Sequence, residues 1–262
     1  MYFQDKTVWI TGASSGIGEA LAYAFAKQGA KLIRSSRKQR DLERVADGCH
    51  GQVVLIQTMD LAAYDDLEQI VGEVLEKVGK VDILVNNAGI SQRALVKDAA
   101  LDVYKKMIDV NLLGTIAISK AILPHFIENQ NGHYVTITSL MGKFGAPLRS
   151  GYAAAKHGLH GFFDVLRAEN YQDNIKVTLI CPGYIRTNIS KNALTASGEK
   201  QGTMDDATDK GMTPEDLAEK ILGAVRRGKE EAVFGGKEII AVYLKRFFPA
   251  LLSKIVRAAK VT

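Results

Sequence analysis

Tyr152 and Lys156 stand four residues apart in Tyr152-Ala153-Ala154-Ala155-Lys156, at the start of a segment with helical periodicity. On a helix this spacing puts both side chains on one face, about 6 Å apart at Cβ. A phenol with its ordinary pKa of ~10 is a poor base at neutral pH. Bringing it to about 7 takes roughly 4 kcal/mol of preferential stabilisation of the phenolate. An ammonium beside it in a desolvated cleft supplies stabilisation of that kind, so the pair predicts a proton-transfer group. Tyr-x-x-x-Lys alone is a common exposed pair, and the reading needs other residues converging on it. Ser139 ends an apolar run upstream, where its hydroxyl can face the same crevice and donate to a substrate oxygen. Asn86-Asn87-Ala88-Gly89 ends another such run, Asn111 falls in the helical pattern that follows, and Pro182-Gly183 makes a turn after a third.

A second constellation suits an anion. Thr11-Gly12-Ala13-Ser14-Ser15-Gly16-Ile17-Gly18 closes the first apolar run and opens the first helical one. Glycines serve there for a tight turn, for close approach to a pyrophosphate and for packing helix on strand. The helix N-terminus offers free N–H groups to the anion. The spacing G-x-x-x-G-x-G departs from the usual dinucleotide fingerprint. An acid at the end of the second strand would bind a ribose 2′-hydroxyl, whereas an Arg suits a 2′-phosphate. This chain reads Leu32-Ile33-Arg34-Ser35-Ser36-Arg37-Lys38, with no acid until Asp41. Arg37 can grip a phosphate bidentately with Ser36 as hydroxyl donor, which predicts NADP(H) as cofactor. Asp60, followed by Leu61 after the third run, is expected to face the adenine.

Positioning these groups requires a particular scaffold. Strand-length apolar runs at 7–11, 31–35, 52–58, 81–86, 134–139, 176–181 and 231–234 alternate with helical patterns at 16–28, 64–78, 101–129, 152–170 and 214–227. The last has Thr213 as N-cap and Pro214 at its first position. Continuous Val/Ile/Leu runs alternating with helices predict an α/β fold: a doubly wound, Rossmann-type parallel sheet of about seven strands with helices on both faces. One domain over 1–236 is expected, since no composition break or repeat divides it. Residues 188–212, rich in Ser, Thr, Gly, Asp and Lys, follow a strand's carboxyl end, where open α/β sheets bind ligands, and are expected to form a substrate lid.

Composition narrows the classes. At 262 residues with 47% hydrophobic and 24% charged residues, the chain is ordinary globular material. Cys49 and Cys181 form no CxxC and no Cys/His cluster, so neither a disulfide framework nor a zinc site is expected, and no metal is needed. His157 and His160, three apart on one helix, are expected to be structural. No signal segment or run of 18 uncharged apolar residues is visible, which predicts a cytoplasmic protein. Residues 237–262 hold six basic residues (Lys237, Lys245, Arg246, Lys254, Arg257 and Lys260) against Glu238 alone, equal to the chain's whole net charge of +5. The body is therefore neutral and lacks the basic stripe of a nucleic-acid binder.

Together these residues resemble the short-chain dehydrogenase/reductase family over roughly 5–235. The family's T-G-x3-G-x-G is met by Thr11, Gly12, Gly16 and Gly18, its N-N-A-G by Asn86 to Gly89, and its catalytic tetrad by Asn111, Ser139, Tyr152 and Lys156. Its P-G…T is met by Pro182, Gly183 and Thr187. The resemblance implies that Tyr152 donates a proton to a carbonyl as hydride arrives, or removes one from the alcohol in reverse. It implies that Lys156 lowers the pKa of Tyr152 and binds the nicotinamide ribose, and that Ser139 polarises the substrate oxygen. Asn111 would hold a water relaying protons to Lys156, and Thr187 with the backbone at Ile185 would hold the carboxamide. The cofactor site would comprise Gly12, Ser14 to Gly18, Ser36, Arg37, Asp60, Leu61, Asn87 to Gly89, Tyr152, Lys156, Pro182, Gly183, Ile185 and Thr187. A homo-dimer or homo-tetramer is the expected assembly. A nucleotide-sensing protein on the same scaffold is the alternative, although it need not keep Tyr152 and Lys156 together.

Leu140, Met141, Phe144, Pro147 and Tyr184, with the lid, suggest an apolar pocket for a hydrophobic ketone or secondary alcohol beside Ser139 and Tyr152. The tail 237–262 reads as a basic amphipathic helix, interrupted or restarted at Pro249. It can lie in a membrane interface, cover its own cleft or pack on a partner subunit. Burial of Phe247, Phe248, Leu251 and Leu252 against the lid or a partner is the expectation. The tail resembles that of the dehydrogenase/reductase member 7B branch, whose members are linked to lipid ketones.

Overall fold

The computed structural model describes residues 1–258. Seven strands form one sheet: β1 (Thr7–Thr11), β2 (Lys31–Ser36), β3 (Val53–Thr58), β4 (Ile83–Asn86), β5 (Gly132–Ile137), β6 (Ile175–Pro182) and β7 (Glu231–Phe234). Their order is β3-β2-β1-β4-β5-β6-β7 and every pairing is parallel. The order reverses between β1 and β4, which opens a crevice at the strands' carboxyl ends. Alternation along each strand divides the core. Val8 and Ile10 of β1 face α1 (Gly16–Lys27), and Trp9 faces the opposite layer. The first layer also takes Leu42 and Val45 of α2 (Gln39–Asp47), with Leu217, Ile221 and Leu222 of the helix Pro214–Arg226. The second takes Val71 of α3 (Leu67–Val78), Ile118 and Phe126 of α5 (Gly114–Glu128), and Leu159 and Phe163 of α6 (Ser150–Glu169).

Two expectations about helices are corrected. The sequence pattern omitted α2, whose nine residues are mostly charged and bury only Leu42 and Val45. The single helix expected over 101–129 is instead α4 (Leu101–Ile108), a π turn (Asp109–Leu113) and α5. Leu101–Glu128 is apolar and long enough to cross a membrane by length and composition alone. Here it packs on the sheet, with Ile118, Ile122 and Phe126 buried. The cap read at Thr213 is formed: its hydroxyl accepts from Asp216 N at 3.1 Å and starts α8 (Pro214–Arg226).

Residues 188–212 fold back over the crevice and include the short helix α7 (Asp206–Asp209). Leu194 pairs with Gln92, and Met212 with Ile185. Beyond β7 come α9 (Ile240–Phe247) and α10 (Pro249–Ala258), broken at Phe248. Phe247, Phe248 and Leu251 are exposed, against expectation, and only Leu252 is buried. It packs on Leu140, Phe144 and Cys181 rather than on the lid. Two short helices can turn only one stripe each toward the body, so the remaining large side chains face outward. Lys260 lies outside the described residues.

Candidate active site

The crevice is a cavity of about 1030 Å³. Its floor at one end is the glycine-rich turn. Gly12 and Gly16 have φ of +64° and +57°, and a Cβ on Gly12 would lie 2.7 Å from Ala88 Cα. Ser15 is the N-cap of α1 without a capping bond from its side chain, which leaves its hydroxyl free beside the N–H groups of Gly16 and Ile17. Gly18 does not line the cavity; a Cβ there would sit 2.3 Å from Gly12 O, so its role is packing. Thr11 fastens this turn to β4, its hydroxyl accepting from Asn87 N at 3.0 Å and Ala88 N at 3.1 Å. The Asn87 amide returns to Thr11 O at 2.9 Å and Gly12 O at 3.1 Å.

Ser36, Arg37, Asp60 and Leu61 line the same end. Arg37 is exposed at the end of β2 with Lys38 beside it. Asp60 accepts from Ala62 N at 3.0 Å. Arg44, which sequence reasoning missed, reaches Ser14 O at 3.0 Å and pairs with Glu19 at 2.7 Å, closing α2 over the turn.

At the other end, Tyr152 and Lys156 project from the first turns of α6, both buried, with Lys156 Nζ 5.8 Å from the phenol ring centre. Ser139 follows β5 and its Oγ accepts from Met141 N at 3.1 Å. Burial pushes the Tyr152 phenol above its ordinary pKa, against a hydrogen bond from Ser139 and the charges of Arg93 and Arg149. The Lys156 ammonium is itself desolvated, which brings it down to about 8, and it donates to Ile137 O at 2.9 Å.

Asn111 stands behind Gly89, on the side of Lys156. It lies in the π turn, fully buried, and does not line the cavity. Its Oδ1 accepts from Ile90 N at 2.9 Å and its Nδ2 donates to Ile90 O at 3.1 Å. The carboxamide is thus a clamp on the loop after β4. A Cβ on Gly89 would meet Asn111 Oδ1 at 2.7 Å and Lys156 Nζ at 3.7 Å, so glycine lets the two approach.

Pro182, Gly183, Tyr184, Ile185 and Thr187 form the wall after β6. Thr187 faces the glycine-rich turn, its methyl 3.1 Å from where a Gly16 Cβ would be. Glu238 braces this wall by accepting from Tyr184 N at 3.3 Å. Leu140, Met141, Phe144 and Tyr184 line the cavity beside Ser139, while Pro147 does not. Sequence reasoning also missed Arg93 and Arg149, buried cations that line this end and meet Asp205 of the 188–212 segment. No spacing rule connects Arg93 to Asp205.

His160 ring nitrogens, Cys181 Sγ and a Glu231 oxygen lie within 4.8 Å of one another. Lys143 already pairs with Glu231. Burial holds the His160 imidazole down at about 4 and the Cys181 thiol up at about 11, so both stay uncharged at neutral pH.

The short chain dehydrogenase family model matches residues 6–197. A "Dehydrogenase/reductase SDR family protein 7-like" of Drosophila melanogaster is 42% identical, covering 94% of this chain and 78% of its own length. A "Dehydrogenase/reductase SDR family member 7B" of Bos taurus is 40% identical, with coverages of 97% and 81%. Among solved structures, a short chain dehydrogenase/reductase from Burkholderia phymatum in complex with NAD superposes with a TM-score of 0.84 at 21% identity, over 96% of each chain. A serine dehydrogenase complexed with NADP+ gives 0.78 at 26% identity, over 87% of this chain and 94% of its own. The chain therefore belongs to the short-chain dehydrogenase family of oxidoreductases, on the branch of the 7-like and 7B proteins.

Proposed function

We propose that this chain is an NADP(H)-dependent oxidoreductase interconverting a hydrophobic ketone and its secondary alcohol. The observation that carries this reading is the joint placement of buried Tyr152 and Lys156 with half-buried Ser139 in the cavity whose far end presents Ser36 and Arg37. The residues fit a dinucleotide: an open helix N-terminus and a glycine turn for pyrophosphate, and a cation where an NAD site wants an acid. The cofactor supplies the hydride. Ser36 and Arg37 would hold the 2′-phosphate, and Lys156 would hold the ribose. Thr187 and the Ile185 backbone would hold the carboxamide end.

Tyr152 is the proton donor in reduction and the acceptor in oxidation. With its pKa raised by burial, the phenol is held protonated, the form that reduction requires. Ser139 orients the oxygen that receives the proton. Asn111 positions the loop after β4 through Ile90. The cavity wall beyond Ser139 is apolar, with Leu140, Met141 and Phe144 joined by Ile189 and Leu194 of the lid, and selects an apolar substrate. A screen of ketones and alcohols followed by NADPH absorbance tests the reading. Absence of turnover with intact NADPH binding would favour the nucleotide-sensing alternative.

A further inference from the structure

The two helices beyond β7 are apolar on two sides. Their inner side, with Ala241, Leu244, Leu252 and Val256, packs against Leu140, Phe144 and Cys181. The outer side is uncovered. On α9, Ile240, Tyr243 and Phe247 recur at helical spacing and are 59%, 61% and 67% exposed. Phe248 at the break is 62% exposed, and Leu251 and Ile255, one turn apart on α10, are 48% and 47% exposed. A helix on the surface of a globular domain needs one apolar stripe, and the second has no use in the chain's own core. A contiguous group of such residues marks an interaction surface.

Charge identifies the occupant. Lys237, Lys245, Arg246, Lys254 and Arg257 are exposed and interleave with this row along the chain. The one acid of the extension, Glu238, turns its carboxylate onto Tyr184 N and Gly236 N. A second copy meeting this face about a two-fold axis would bring two extensions of like positive charge together, which is repulsive. An anionic leaflet attracts each Lys and Arg while receiving the apolar row.

We propose that the outer face of α9 and α10 docks on an anionic lipid surface. The same helices wall the cavity, to which Ala241, Leu252, Ile255 and Val256 contribute. Docking therefore sets the cavity beside the lipid, and on the oxidoreductase reading above this lets an apolar substrate reach Tyr152 from the membrane.

Flotation of the full chain with two kinds of vesicle tests this. One is phosphatidylcholine alone and the other contains about one-third phosphatidylserine. The protein is expected to float with the anionic vesicles at low salt and to be released as salt screens the contact. The double variant Phe247→Asp, Phe248→Asp should lower the bound fraction by at least about tenfold. Its melting temperature and NADPH affinity should be unchanged, since both side chains are exposed and outside the cavity. A protein that floats with neither vesicle overturns the proposal. So does a stable dimer, seen by sedimentation, that the double variant splits without any flotation, because a second copy then covers the face. Equal, salt-insensitive binding to both vesicles overturns the charge argument. These readouts need no turnover, so they stand apart from the oxidoreductase reading. In an activity arm that does depend on it, a ketone dissolved in anionic vesicles should be reduced several-fold more slowly by the double variant. A water-soluble ketone should be reduced equally by both proteins, and an equal loss on both would refute delivery from the lipid.

Discussion

Arg93 of the loop after β4 and Asp205 of the 188–212 segment form a buried ion pair, with Arg93 Nε 2.9 Å from Asp205 Oδ2 and side-chain exposures of 6% and 2%. Arg149 adds a second guanidinium at 3.5 Å. The pair ties residues 188–212 to the loop after β4 at the Tyr152 end of the cavity.

Removing one partner of a buried pair typically costs about 3–5 kcal/mol. Asp205→Asn leaves two guanidiniums facing a neutral amide, and local release of the lid is the least costly relief. Hydrogen exchange is expected to rise within 188–212 while the strands stay protected, with an increase in KM for the ketone. Unchanged exchange there would remove Asp205 as the anchor. Burial pushes the Asp205 carboxyl up, but hydrogen bonds from Arg93 and Gln201 and both guanidinium charges outweigh it and hold the pKa low. A depressed carboxyl contributes fully above its unfolded pKa of about 4 and is lost as pH falls through the folded value. The lid should thus stay anchored at mildly acidic pH and loosen only in stronger acid.

Cofactor choice rests on Arg37. A charge-assisted hydrogen bond is worth roughly 1.5–3 kcal/mol, so Arg37→Ala should weaken NADPH binding about tenfold or more and leave NADH nearly unaffected. Fluorescence titration with both dinucleotides measures the difference. Equal affinities in the unaltered protein would end the NADP(H) assignment.

Tyr152→Phe removes only the hydroxyl. A general acid typically contributes ~10²–10⁴-fold, and turnover should fall by that order with NADPH affinity retained. Retention of more than about a tenth of the rate would mean that another group is the acid.

Lys156 carries a pH signature. Burial lowers its pKa from 10.5 to about 8, so between those values the unfolded chain holds a proton that the folded chain has released. Stability from this residue therefore rises with pH across that window. Lys156→Met should melt with a flatter dependence than the unaltered protein between pH 8 and 10, read by calorimetry. Identical slopes would mean that the ammonium is not desolvated.

The extension also contributes through its inner face. Leu252 is 4% exposed against Leu140 and Phe144, and Leu252→Ala should cost about 2–5 kcal/mol in denaturant unfolding. A loss below about 1 kcal/mol would show that α10 is only loosely held.

The sequence by itself determined the sheet and the approximate places of Tyr152, Lys156, Ser139 and the glycine turn. Parallel strands buried on both faces must be continuous Val/Ile/Leu runs, and glycine turns and i, i+4 pairs are local signals. It missed α2, whose charges hide its two buried residues, and the π turn, because a hydrophobic stripe does not report which carbonyl each N–H chooses. Only the tertiary structure decided that Asn111 clamps Ile90 and that burial outweighs Ser139, Arg93 and Arg149 at the Tyr152 phenol. Desolvation depends on every neighbour at once. The same holds for Arg93 with Asp205, which are more than a hundred residues apart and meet only because the lid folds back over β4. The tail read as a basic amphipathic helix, but only packing could select Leu252 for the core and leave Phe247 and Phe248 facing outward.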